Sequence, residues 1–301
     1  MNTSTFTEFK DWDIVLKTKY TSKYLKYWLK KRYLVIFILA LVGFVYQGCT
    51  LGLMFANDII TQNDIRLWNG YFPWWTIFFT FTFWSNFFVF ISYFLYLFFF
   101  PKTKLKNNNI FLLISSCYIT VVLIIVACAL FPAAVIEKNN VNFGSKTNPI
   151  TLGALIMPHA PGPIYMIFFS LTVCSLNRKG NWIINKNGYW LVLIYVLIFF
   201  LSYMIMDIIL NWIPIGAYYI NEHNEIVKFS GYSVYSRFTA INPDLPIVSA
   251  GKVSGHGSYI NILFYFLAVA ILIIVYTIAY WIIKKRFLFD YKITKIYKIE
   301  K

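Results

Sequence analysis

The sequence predicts an all-α polytopic membrane protein, six transmembrane helices with both termini in the cytoplasm. Three observations carry that prediction: an apolar excess, six long apolar blocks, and a lopsided distribution of lysine and arginine. Of the 301 residues, 59% are apolar and only 13% are charged. A soluble domain has roughly half and about a quarter. The excess is gathered into Tyr33–Ala56, Phe72–Phe100, Asn109–Ala134, Ile150–Leu176, Tyr189–Ile213 and Ser258–Ile283. Each block is long enough for the roughly 30 Å of hydrocarbon, which takes about 20 helical residues. The blocks are continuously apolar without alternation, which selects helices over a barrel.

Orientation follows from the basic residues. The N-terminal tail, the second and fourth connections and the C-terminal tail together hold 21 of the 27 Lys and Arg. The other face holds only Arg66, Lys138, Lys146, Lys228, Arg237 and Lys252. The bias places both tails inside and accounts for most of the net charge of +15, so it lends no support to nucleic-acid binding. Three parts follow: a cytoplasmic tail 1–32, a transmembrane domain 33–283, and a basic cytoplasmic tail 284–301. In the first, Phe9, Trp12, Leu16, Tyr20 and Tyr24 recur at helical spacing between lysines, the pattern of an amphipathic helix on the inner leaflet. Two outer connections are short, Asn57–Tyr71 and Val135–Pro149. The third, 214–257, is long, and its aromatics (Tyr218, Tyr219, Phe229, Tyr232, Tyr235, Phe238) predict a folded cap.

Several function classes have no support. Cys49, Cys117, Cys128 and Cys174 lie in apolar blocks without a C-x-x-C or Cys/His metal spacing, so buried free thiols are expected, with no metal and no cofactor. His223 and His256 read as exposed loop residues. Gly48 and Gly52 form a G-x-x-x-G pair suited to close helix packing. Trp74, Trp75, Trp190, Trp212 and Trp281 read as an interfacial belt. A palette rich in Ile, Phe, Asn, Lys and Tyr points to an AT-rich, mycoplasma-like bacterium, with the chain in its plasma membrane among lipids as its partners.

Polar side chains in hydrocarbon are costly and therefore informative. Thr82 lies ten residues into the second block, roughly 15 Å deep, and shares a helix face with Ser85 and Asn86. His159, within Pro158–Pro163, lies nine residues into the fourth block, roughly 13 Å deep. Gln47 sits at about that depth on the first helix, and Asp207 roughly 9 Å down on the fifth. Two readings stay open. In one, His159 takes the proton of Thr82, whose Oγ attacks an acyl carbonyl; Asn86 donates to the oxyanion, Ser85 is an alternative nucleophile, and Asp207 orients His159. In the other these groups only pack, Ser and Thr against their own helix carbonyls and Asn and Gln across helices.

Thr82-Phe83-Trp84-Ser85-Asn86, with His159 and Pro163 later in the chain, resembles the six-helix androgen-induced and androgen-dependent lipid hydrolases and their bacterial relatives. The resemblance covers about a dozen residues plus the helix count. It implies an intramembrane threonine hydrolase of fatty-acyl esters, with Thr82 as nucleophile and His159 as the second catalytic residue. The expected function is thus a lipid hydrolase or acyl transferase. The alternatives are a solute-binding subunit of a transporter, with the long loop as its lid, and a structural membrane protein.

Overall fold

The computed structural model describes residues 32–63, 70–71, 73–98, 110–130, 153–154, 156–176, 186–221, 223–235, 238–249 and 252–299. The amphipathic helix expected in the N-terminal tail lies outside them, as does the whole connection 135–149. The chain is mostly helical. In order come α1 (Arg32–Asn63), β1 (Gly70–Tyr71), a 3-10 helix (Trp74–Phe79), α2 (Phe81–Phe98), and α3 (Ile110–Ile125), which ends in a π turn over Val126–Leu130. Then follow α4 (Pro161–Leu176), α5 (Lys186–Leu210), β2 (Tyr218–Ile220), β3 (Ile226–Lys228), β4 (Pro246–Ser249), β5 (Lys252–His256) and α6 (Ile262–Ile299). Among the described residues, five helices are long and apolar enough to cross a membrane, and α4 is a shorter apolar helix.

α3 is the hub and packs against α2, α4, α5 and α6, while α1 packs against α2 and α4. One core joins Tyr118, Val121 and Val122 of α3 to Val196 and Phe200 of α5 and Leu272 and Tyr276 of α6. A second joins Ile36 and Ala40 of α1, Val89 and Tyr93 of α2, Ile119 of α3, and Met166 and Phe169 of α4. The opposite faces are apolar too: Leu191, Ile194, Ile198, Leu201 and Ile205 of α5 all point outward, as a lipid-facing surface requires.

Three expected spans differ in detail. The second block is broken at Thr80, which sits in extended conformation between the 3-10 helix and α2. Its Oγ1 accepts from Phe83 N at 3.1 Å, an N-cap that starts a new helix at Phe81. Thr82 is therefore in the first turn of α2 rather than deep within a long span. In the fourth block, residues 157–160 form a turn and α4 begins at Pro161. A proline at the first helical position loses no hydrogen bond, so the prolines start the helix instead of breaking it. The last helix continues through Lys284 to Ile299, with no Gly or Pro in that stretch to stop it.

Gly48 and Gly52 do not make the close approach expected of them. A methyl at Gly48 would meet Phe90 only at 3.6 Å, and Gly52 has nothing within 4 Å. The tight crossing of α1 and α2 is at Gly43, where a methyl would lie 2.5 Å from the Tyr93 ring. Only part of the cysteine expectation holds: Cys117 is buried, whereas Cys49 and Cys128 lie exposed on apolar helix faces. His223 and His256 are exposed, as are Trp74, Trp190, Trp212 and Trp281.

The described residues of 214–257 are folded. β2 pairs antiparallel with β3 and, on its other edge, with β1 from the connection before α2. β4 pairs with β5. Leu210, Ala217, Tyr219, Phe229, Ala240 and Leu245 give this cap its own apolar core. Gly231 and Gly257 permit the crossing points, since a side chain at either would overlap the carbonyl of Asn211 or Asn242. The cap thus covers the helix ends at which α2 begins and α5 finishes.

Candidate functional site

The cap is fastened to α5 through two residues one helical turn apart. Asn211 Oδ1 accepts from Ile241 N at 2.8 Å, and its Nδ2 donates to Asp207 O at 2.9 Å and Thr239 O at 3.2 Å. Asn242 Nδ2 returns a bond to Asn211 O at 2.9 Å. Asp207 is fully buried. Its Oδ1 accepts from Val234 N at 3.2 Å and its Oδ2 from the Tyr265 hydroxyl at 2.7 Å. A buried carboxylate costs free energy unless donors satisfy it, and these donors come from the cap and from α6.

This fastening sets Tyr235 against the start of α2. Thr239 Oγ1 accepts from Tyr235 N at 3.1 Å. The Tyr235 hydroxyl then lies 3.4 Å from both the backbone N and the Oγ of Thr82. The first N–H groups of a helix lack partners within it, and Tyr235 supplies one to Thr82. Burial raises the Tyr235 hydroxyl above the usual tyrosine pKa, against an opposing pull from Thr82, so it keeps its proton at neutral pH.

Thr82, Asp207, Tyr203, Tyr235, Thr239 and Tyr265 line one cavity of about 40 Å³. That is room for a few water-sized groups. The remaining wall is apolar and includes Phe81, Val122, Val126, Phe200, Met204 and Phe264. Nothing matches this chain among family models, curated proteins or solved structures. The site must therefore be read from its own geometry.

The expected residues divide into two groups. Thr82 and Asp207 share the cavity. Ser85, Asn86, Gln47 and His159 are not among its lining residues. Ser85 Oγ donates to Phe81 O at 2.8 Å. Asn86 Nδ2 donates to Thr82 O at 2.8 Å and to Pro158 O at 3.5 Å, and Gln47 Nε2 donates to Asn86 Oδ1 at 2.6 Å. Asn86 thus has its amide protons engaged by carbonyls. The carbonyls released near the prolines are taken by Tyr46, which reaches Met157 O at 3.1 Å, and by Asn86. The hydrogen-bond partner of Thr82 Oγ is Tyr235, and His159 sits in the turn whose Pro158 carbonyl meets Asn86.

The sequence reading missed Tyr203, Tyr235, Thr239, Tyr265 and Asn211. Asn211 carried a faint signal, a second polar residue four positions after Asp207 in an apolar run. The tyrosines carried none, because in a chain with 23 of them an aromatic in a span or loop reads as packing. Groups of three or more potential metal ligands do not occur among the described residues.

Proposed function

We propose that this chain is a six-span protein of the cell membrane, both termini cytoplasmic, with α4 as the sixth span and the cap on the outer face. It takes the acyl end of a membrane lipid into the cavity beneath the cap and hydrolyses or transfers the ester through Thr82. The observation that carries the reading is the placement of Thr82. Among the helix residues that line this cavity, Thr82 supplies the aliphatic alcohol, and it shares the apolar-walled space with the Asp207 carboxylate. Apolar walls with few polar groups are what a lipid-chain site needs.

In the proposed step Thr82 Oγ attacks the ester carbonyl carbon, and the carbonyl electron pair moves onto its oxygen. The Thr82 proton passes to Asp207 with a water as relay. Collapse of the adduct expels the alcohol, which recovers that proton, and leaves an acyl-threonine. Water or a second alcohol then releases the acyl group. Asp207 is preferred over His159 as the proton acceptor because it faces the same cavity as Thr82. His159 remains the acceptor that the family resemblance implies.

A long-chain fluorophosphonate tests the reading. Wild type is expected to label, Thr82→Ala to lose labelling, and Asp207→Asn to slow it, with His159→Ala close to wild type. Slow labelling of His159→Ala with unchanged Asp207→Asn would return the base to His159. Equal labelling of wild type and Thr82→Ala would remove the nucleophile. That result would favour a structural role for the polar layer, a reading supported by the pairing of Ser85, Asn86 and Gln47 with groups of the protein itself.

A further inference from the structure

Tyr203 of α5 is 8% exposed, and its hydroxyl is buried without a hydrogen-bond partner among the described residues. Buried polar groups are nearly always satisfied, and an exception asks for an explanation. This hydroxyl belongs to the wall of the cavity that Thr82 lines. Its nearest polar neighbours are the Tyr235 hydroxyl and the backbone of Phe81 at the start of α2, which interact with it without reaching the distance and angle of a formed hydrogen bond. The other polar groups of the wall are engaged: Asp207 and Tyr265 with each other, Thr239 with Ser233 and Tyr235 N, and Tyr235 with Thr82.

We infer that the Tyr203 hydroxyl, with the first turn of α2 beside it, is the binding site for the carbonyl oxygen of a neutral acyl ester. The inference rests on the reading of the cavity as an acyl-ester site and names the group that recognises the ester. It assigns to Tyr203 the donor role that the sequence suggested for Asn86. A carbonyl oxygen has lone pairs and no proton, so it complements a hydroxyl proton and the positive end of a helix. The Asp207 carboxylate in the same wall disfavours a ligand carboxylate, so the site selects an ester over a free fatty acid. The apolar side chains opposite take the first carbons of the chain.

The test uses the full chain purified in dodecyl maltoside, whose alkyl chain carries no carbonyl. Binding of a radiolabelled long-chain methyl ester, counted as intact ester recovered with the protein, is compared with the matching methyl ether and free acid. Wild type is expected to prefer ester over ether by about tenfold, the equivalent of one good hydrogen bond, and to bind the acid more weakly than the ester. Tyr203→Phe should erase the ester preference and leave ether affinity unchanged. Gly52→Ala, outside the cavity lining, should keep the preference. No ester preference in wild type, its persistence in Tyr203→Phe, or tighter binding of the acid would overturn the proposal. The two ideas fail separately. Equal fluorophosphonate labelling of wild type and Thr82→Ala, with a preference that depends on Tyr203, would remove the chemistry and leave the carbonyl site standing.

Discussion

The Tyr265 hydroxyl donates to Asp207 Oδ2 at 2.7 Å, which ties α6 to α5 directly under the cap segment that Asp207 Oδ1 holds through Val234 N. One carboxylate thus fixes the place where two helices and the cap meet. It also sets the path of the chain to Tyr235, and so the environment of Thr82.

Removing that carboxylate strands two donors. Asp207→Ala should cost about 1–3 kcal/mol for each donor left unsatisfied, and Asp207→Asn, which keeps one acceptor oxygen, should cost less. Thermal unfolding in detergent, read alongside protease cleavage within 233–239, should rank wild type, Asn and Ala in that order. An Ala variant as stable as wild type would show that the cap is held elsewhere.

Tyr203→Phe should behave in the opposite way. Deleting a buried hydroxyl that has no partner removes a desolvation cost, so the ligand-free protein is expected to gain about 1 kcal/mol. A group kept at a cost to stability is common where a ligand completes the site. A lower unfolding midpoint for Tyr203→Phe would mean that its hydroxyl is already satisfied.

The α1–α2 crossing offers a paired comparison. Gly43→Ala places a methyl against the Tyr93 ring and should destabilise by about 1–3 kcal/mol, the usual cost of overpacking. Gly52→Ala meets nothing within 4 Å and should be neutral or stabilising by up to about 1 kcal/mol through helix propensity. Measured midpoints in the reverse order would place the close approach at Gly52.

Topology is tested with all four cysteines replaced by alanine and single cysteines introduced. Glu225→Cys, in the exposed turn before β3, should react with a membrane-impermeant maleimide on intact cells. Lys10→Cys and Lys298→Cys should react only after permeabilisation. Labelling of Lys298→Cys on intact cells would place the C-terminus outside and leave an odd number of spans.

The six apolar blocks and their helical character were legible in the chain alone, because hydrocarbon leaves a backbone no partner except its own carbonyls. The sequence also singled out Thr82 and Asp207, since a polar group in an apolar run is conspicuous whatever surrounds it. The partners of those groups were decided by tertiary structure. Tyr235 lies 153 positions from Thr82, and Gln47 lies 39 from Asn86. A helix that is apolar on every side carries no stripe to say which face meets which neighbour. Helix rotation, and the route of the cap across the helix ends, therefore settle which hydroxyl reaches which site. The break at Thr80 was legible only in part: a threonine within an aromatic run becomes a cap once its oxygen reaches Phe83 N, and composition cannot show that. Depth counted along an unbroken helix consequently put Thr82 and His159 in one layer, whereas the folded chain gives Thr82 a cavity shared with Asp207 and the tyrosines around it.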